Sequence, residues 1–378
     1  MRALVLFAVI FVLVAPSTRS SQRFAEVDRI LAAAIADGAF PGAVVAVGHR
    51  GKLVHVAALG RQTYAPDSPP VETDTLYDIA SLTKVVATTT AAMILVDEGK
   101  LDLDAPVARY LPGFTGPDKE RVTVRHLLAH ASGMDWWAPL YREIQGKAAY
   151  LERVETMALV NEPGTKELYS DLGVILLGEI LERVSGVPLD RFVARRVLEP
   201  LGMRDTLFRP PTDLLARIPP TERDDEWRKR VVHGEVHDEN AFAMGGIAPH
   251  AGLFSTAPDL ARFAQMMVSR GRYKGRPIVE RSTVRLFTQR AGIVPGSGRA
   301  LGWDTKSAQG STAGTLFSPS SFGHTGFTGT SLWVDPERKL YLVLLTNRIH
   351  PTRENRKIVE VRPALADAVV RAIERSGH

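Results

Sequence analysis

The sequence predicts an α/β fold of the α+β kind: an antiparallel sheet built from both termini, with flanking helices and an inserted helical region. Three observations predict it. Segments with strand character lie near the two ends of the chain, segments with helical apolar spacing fill the centre, and one more helical segment closes the chain. The 378 residues suffice for one large domain or two intimate ones, and no internal repeat suggests an array.

Taken in order, SSQRFAEVDRILAAAIADGAFPG reads as an amphipathic helix. Ser20 or Ser21 caps it, apolar residues recur at Phe24, Val27, Ile30 and Leu31, and Gly38 with Pro41 ends it. GAVVAVGHRGKLVHVAALG reads as two strands joined by a turn at Arg50-Gly51. In the centre, TVRHLLAHASG, DLGVILLGEILERVSG and APDLARFAQMMVSRG show helical spacing with a cap at one end and Gly at the other. The Pro-rich RPPTDLLARIPPTERDDEW (209–227) reads as a surface excursion rather than a linker. Strands return in LGWDTK, SFGHTG, TSLWVDP and KLYLVLLTN, and RPALADAVVRAIERSG is helical. The expected division is an α/β part at about 22–76 and 290–378, with a helical part at about 77–289.

Composition narrows the function. With 45% hydrophobic and 24% charged residues, the chain is not of a disordered class. The formal charge is +5, but Arg2 and Arg19 belong to the first residues and the rest of the excess is spread out. No basic stripe for nucleic acid is indicated. The absence of cysteine excludes disulfides, thiol catalysis and Cys-bound metal. The opening MRALVLFAVIFVLVAPSTRSSQR has a positive start and an apolar run over residues 3–15. That run is shorter than the roughly 20 residues a spanning helix needs, so 1–21 reads as a secretory signal and 22–378 as the mature domain. A periplasmic or secreted protein is expected, without stable membrane insertion after signal removal. An uncleaved signal anchor is the alternative.

The chemistry begins in YDIASLTKVVATTTAAMILVDEG. Positions i and i+3 share a helix face, so Ser81 and Lys84 point the same way. If Ser81 is the first helical residue, its N–H is an unpaired donor able to stabilise an oxyanion. An amine within reach can take the hydroxyl's proton if burial lowers its pKa. The plainer reading is an N-capping serine and a snorkelling lysine. Further on, Tyr169, Ser170 and Asp171 form a turn into an apolar helix, and a tyrosine hydroxyl can serve as acid, base or relay. The alternative there is a core tyrosine beside a capping Ser170 or Asp171. Late in the chain, Gly323 and Gly326 bracket His324-Thr325 between strands, where glycine marks close approach of a ligand or backbone, or simply a bulge.

In this order and context the three motifs resemble the penicillin-recognising serine hydrolases, in their class C β-lactamase-like branch of β-lactamases, D-alanyl-D-alanine carboxypeptidases and esterases. SLTK matches the nucleophile motif, YSD the Tyr-x-Asn motif and HTG the Lys-Thr-Gly motif. TVRHLLAHASGM, AGLFSTAPDLARF and GHTGFTGTSLWVDPE are similar too, and the resemblance covers about residues 24 to 375. It implies a β-lactamase/transpeptidase-like fold and a serine hydrolase. Ser81 would attack an acyl carbonyl, and Lys84 with Tyr169 would move its proton. The backbone N–H groups of Ser81 and Phe327 would form the oxyanion hole. Asp171, His324, Thr325 and Gly326 would border the substrate. Neither metal nor cofactor is implied.

Two departures bear on specificity. Asp171 stands where the family usually has Asn, and a carboxylate holds Lys84 as ammonium and weakens it as a base. His324 stands where β-lactamases have Lys, and it is mostly neutral at pH 7. Loss of a positive charge and gain of a negative one disfavour an anionic β-lactam. Ester or amide hydrolysis, on a small molecule or a peptidoglycan peptide, therefore ranks above a true class C-type β-lactamase. A non-catalytic cell-wall peptide or penicillin sensor is the alternative of another class. In HGEVHDEN, His233, Glu235 and His237 lack the i, i+4 spacing of a helical metal site, and a polar loop at the cleft rim is expected, with 238–240 able to touch substrate. His126 and His130 read as satisfied core histidines, and Trp136 and Trp137 as cleft wall or packing.

Overall fold

The computed structural model describes residues 22–375. The expected leader, 1–21, and the proposed Ser20/Ser21 cap lie outside the described residues. The first helix, α1 (Ala25–Ala36), is followed by a hairpin of β1 (Gly42–His49) and β2 (Lys52–Gly60). Its turn is where the sequence places it, with Arg50 and Gly51 both at positive φ. The centre holds β3 (Tyr77–Asp78), α2 (Thr90–Asp97), α3 (Val124–Leu128), α4 (Asp171–Ser185), β4 (Leu207–Phe208), β5 (Leu253–Ser255), α5 (Ala257–Val268) and α6 (Arg281–Thr288). Then come β6 (Asp304–Thr305), β7 (Phe322–Thr325), β8 (Ser331–Asp335), β9 (Leu340–Thr346) and α7 (Ile358–Glu374).

Among the described residues the main sheet runs β6-β7-β8-β9-β1-β2, and every pairing is antiparallel. Its centre joins the chain's ends: Val45 of β1 sits opposite Leu344 of β9. Both faces are covered, which is why β1 and β9 read as continuous apolar runs. On one face Val45, Val47, Leu342 and Leu344 meet Val27 and Leu31 of α1 and Leu365 and Val369 of α7. On the other, Val44, Ala46, Val343 and Leu345 join the larger core, which includes Phe263 of α5 and most of α4. Each such aliphatic or Phe side chain contributes about 1.5–3 kcal/mol on burial, so the strand alternation fixes which helix layer each face receives. No helix among the described residues is long and apolar enough to cross a membrane.

Three features differ from the sequence expectation. The centre is not purely helical: β3, β5 and β4 form a small sheet that fixes the approach to Ser81. The 209–227 excursion is not confined to the surface, because Ile218 packs on Leu76 and Phe254 and Glu222 is buried. Finally, α7 starts at Ile358, before Pro363, because Ile358 is itself buried and anchors an additional turn.

Candidate active site

Ser81 follows β3 after two residues, Ile79 and Ala80. It is a turn residue; the helix opens at Leu82 and winds as a π-helical segment over Lys84–Thr89 before becoming α2. This corrects the expectation of Ser81 as a first helical residue, yet the i, i+3 relation survives. Ala80, just before it, has φ +47°, a left-handed conformation that costs a β-carbon residue energy. Hydrogen bonds hold it there. Asp78 Oδ1 accepts the Ala80 N–H at 2.8 Å, and Asp78 Oδ2 accepts the His237 N–H at 2.7 Å. From the turn after β7, Thr328 Oγ1 donates to the Asp78 carbonyl at 2.7 Å and Thr330 Oγ1 to the Ile79 carbonyl at 3.0 Å. The two strand ends that flank the cleft are thus tied to each other.

Lys84 is 2% exposed. Its Nζ donates to Ser81 Oγ at 3.0 Å and to the His250 carbonyl at 2.9 Å. Asp171 Oδ1 lies 2.6 Å from the same Nζ but makes no aligned hydrogen bond, so charge holds this pair. Burial alone pulls the ammonium pKa down, but Asp171 and Tyr169 outweigh it, and the net shift is upward. Lys84 is an ammonium at neutral pH. Asp171 is delivered by helix position: Ser170 caps α4, accepting the Gly173 N–H at 3.0 Å, and Asp171 is the first helical residue.

Tyr169 lies within a ring of charged and aromatic groups. The His130 ring lies tilted against its ring at 4.5 Å and that of His324 at 5.9 Å, Lys84 Nζ is 5.0 Å from the centroid, and the Arg299 guanidinium carbon is 5.6 Å from it. Burial pushes the phenol pKa up, Asp171 adds to this, and Lys84 and Ser81 oppose it. His324 is buried on β7, with Nδ1 donating to the Thr325 carbonyl at 2.8 Å in the tautomer that fits. Burial and the positive charges of Arg299 and Lys84 bring its pKa to about 4, against the pull of Asp304, so the imidazole is neutral at pH 7.

Gly326 packs against the Ser81 approach. A β-carbon there would lie 2.6 Å from the Ile79 carbonyl and closer still to Thr330 Oγ1. Its N–H is used by the Thr330 carbonyl at 2.8 Å. The N–H groups of Ser81 and Phe327 donate to no described residue, and both residues line one cleft of about 410 Å³. Thr325 is partly exposed at the end of β7. Trp136, Trp137 and Phe327 wall the cleft. Its charged lining is three carboxylates, Asp171, Asp238 and Glu239, against one permanent cation, Arg353, with the Lys84 ammonium buried beneath at Ser81 Oγ.

The structure therefore brings Ser81, Lys84, Tyr169, Asp171 and Phe327 to one cleft, with His324 and Gly326 packed behind it. Asp238 and Glu239 reach the rim, but Asn240 does not: its Oδ1 accepts from Tyr141 N and Tyr150 Oη, both at 3.0 Å. His233, Glu235 and His237 face different partners, the Ile218 carbonyl, Arg230 and Glu222. His126 Nδ1 accepts the Thr123 N–H at 3.1 Å, and His130 Nδ1 accepts the Ser170 N–H at 3.0 Å while its ring packs tilted on Tyr169. Sequence reasoning missed His250, Arg299, Arg353 and Arg362. Arg362 Nη2 donates to the Gly326 and Thr330 carbonyls at 3.0 and 2.8 Å, bracing the Phe327 turn. No local motif marks these residues, because the contacts they make with Lys84, Tyr169, Glu239 and Gly326 join positions far apart in sequence.

Fold and constellation together define a serine hydrolase with its nucleophile in an S-x-x-K motif. The chain belongs to the beta-lactamase family, whose model matches residues 27–366. It is 35% identical over 369 residues to "N-acetylmuramyl-L-alanine amidase" of Bacillus subtilis (strain 168), spanning 88% of this chain and 82% of that protein. It is 38% identical over 311 residues to "Putative D-alanyl-D-alanine carboxypeptidase" of Escherichia coli (strain K12), spanning 74% of this chain and 70% of that protein. Among solved structures, "EstCE1, a hydrolase with promiscuous acyltransferase activity" superposes with a TM-score of 0.76 at 25% identity, covering 93% of this chain and 100% of that one.

Proposed function

We propose that the protein is an exported hydrolase that opens amide or ester bonds, those of cell-wall peptides first, through an acyl-enzyme on Ser81. The observation that carries this reading is the 3.0 Å contact from the Lys84 ammonium to Ser81 Oγ, inside a cleft that also presents two unused N–H groups. Ser81 Oγ attacks the carbonyl carbon. The developing oxyanion accepts from the Ser81 and Phe327 N–H groups, each worth about 2.7–4 kcal/mol in the transition state. Because Asp171 keeps Lys84 charged, Tyr169 carries the base role: its phenol, held above its ordinary pKa by burial, acts through its minor deprotonated form beside that ammonium, takes the serine proton and hands it to the leaving nitrogen or oxygen. Water then adds to the acyl carbon, Tyr169 accepts its proton, and Ser81 leaves with that proton while the acid is released.

Two considerations support amide or ester over β-lactam. The relatives above carry names for cell-wall amide hydrolysis. The three carboxylates that line the cleft, against Arg353 there and the buried Lys84 ammonium, oppose the carboxylate of a penicillin or cephalosporin. The sensor reading draws on Asp171 alone, and the intact Ser81–Lys84–Tyr169 network speaks against it. Export rests on the sequence of residues 1–21, and a cell-wall substrate supports a periplasmic or extracellular location. The test is a panel: a muramoyl-L-alanyl peptide, a D-Ala-D-Ala peptide, p-nitrophenyl butyrate and nitrocefin. A peptide or the butyrate ester is expected to give the highest kcat/KM. Nitrocefin as the best substrate would make the protein a β-lactamase.

A further inference from the structure

A second cavity, of about 540 Å³, lies at the β6 edge of the main sheet and shares no lining residue with the cleft. Its rim carries Arg270, Arg281, Arg285 and Arg290, and no Asp or Glu lines it. The guanidinium groups of Arg270, Arg281 and Arg285 have no hydrogen bond or ion pair with any described residue. Arg290 donates only to neutral oxygens, Thr305 Oγ1 and the Lys306 carbonyl, both at 3.3 Å. One carboxylate is tied to the lining indirectly: Glu337 accepts from Ser320 Oγ at 2.6 Å. Other arginines of the chain pair with carboxylates, as in Arg125–Asp104 and Arg353–Glu222, or bind carbonyls, as Arg348 and Arg362 do. Below the rim the floor is apolar, with Met267, Val284 and Phe322 buried.

Four like charges around one concavity repel, and a bound anion relieves that repulsion while its body covers the floor. Arginine forks match the oxygens of phosphate and carboxylate, and the volume is that of a small-molecule site. We propose that this cavity binds an amphipathic anion, a phosphate or carboxylate head on an apolar tail, with the head on the arginine rim and the tail on the Met267, Val284 and Phe322 floor. The same chemistry is presented by a soluble amphiphile and by an anionic lipid in a membrane.

Titration calorimetry of the full chain with decyl phosphate below its micellar concentration, inorganic phosphate and decyl maltoside tests the site. Flotation with vesicles of phosphatidylglycerol in phosphatidylcholine, against phosphatidylcholine alone, tests the lipid source. Decyl phosphate is expected to bind more tightly than either control. Arg281→Glu with Arg285→Glu is expected to weaken it by at least about tenfold, with the melting temperature and ester turnover unchanged because both side chains are exposed and far from Ser81. Flotation that is lost in the same double variant assigns the anion to a membrane lipid, and calorimetric binding without flotation assigns it to a free amphiphile. Equal binding of inorganic phosphate or decyl maltoside, an unweakened double variant, or no binding by either method overturns the proposal.

Discussion

At the scale of single residues, the account turns on Asp171. Its charge raises the pKa of both Lys84 and Tyr169. Whichever of the two accepts the serine proton, Asp171→Asn lowers that group's pKa, so the alkaline rise of log kcat/KM moves to lower pH, by roughly one unit. A profile that stays in place would mean that the 2.6 Å pair does not act on the base. Adding His324→Lys to Asp171→Asn restores two units of positive charge. Turnover of nitrocefin relative to p-nitrophenyl butyrate is then expected to rise by about 1–3 kcal/mol in transition-state terms, screened by a partly wet cleft. No change in that ratio would remove the charge argument for the substrate class.

At the scale of elements, the oxyanion geometry depends on one turn and what braces it. The turn after β7 hangs from Arg362 on α7 and from the Thr328 and Thr330 hydroxyls. Arg362→Met removes two donors, at about 1–3 kcal/mol in stability, and is expected to lower kcat far more than it raises KM, because the loosened Phe327 N–H acts on the oxyanion. Equal effects on kcat and KM would indicate a binding role for the turn instead. Gly326→Ala drives a β-carbon into the Ile79 carbonyl, so acylation should be lost even where the protein stays folded; wild-type labelling by a fluorophosphonate would contradict this. Local spacing was enough to read the nucleophile motif, the Tyr169 turn and the strands on either side of His324. The π-helical winding after Ser81 was not legible, because nothing in Lys84–Thr89 distinguishes it from an α-helix until tertiary partners such as the Pro249 carbonyl, which accepts from Thr88 Oγ1 at 2.6 Å, are in place.

At the scale of the whole molecule, the sheet closes by pairing strands about 300 residues apart in sequence, Val44 with Leu345. Strand signals at both ends of the chain made that architecture legible, whereas the cross-links that seat the cleft were not. Glu222, from the stretch that reads as a surface excursion, is buried and binds His237 and Arg353, which in turn holds Glu239. Burial works against its charge, but His237 and Arg353 prevail and bring the carboxyl to about 2 from its ordinary 4.5. A depressed folded-state pKa contributes stability that is present above about pH 4.5 and lost as pH falls toward 2. Glu222→Gln is therefore expected to lower unfolding free energy by on the order of 1–3 kcal/mol near neutral pH, with the deficit closing below about pH 4.5. A deficit that is constant with pH would mean that packing, not charge, holds this segment.

The central claim is that one serine carries the chemistry. Mass spectrometry of the protein after fluorophosphonate labelling, with peptide mapping, tests it most directly. A single adduct on Ser81 is expected, absent in Ser81→Ala and slowed strongly in Lys84→Met and Tyr169→Phe. An adduct on another residue, or undiminished turnover by Ser81→Ala, would contradict the account.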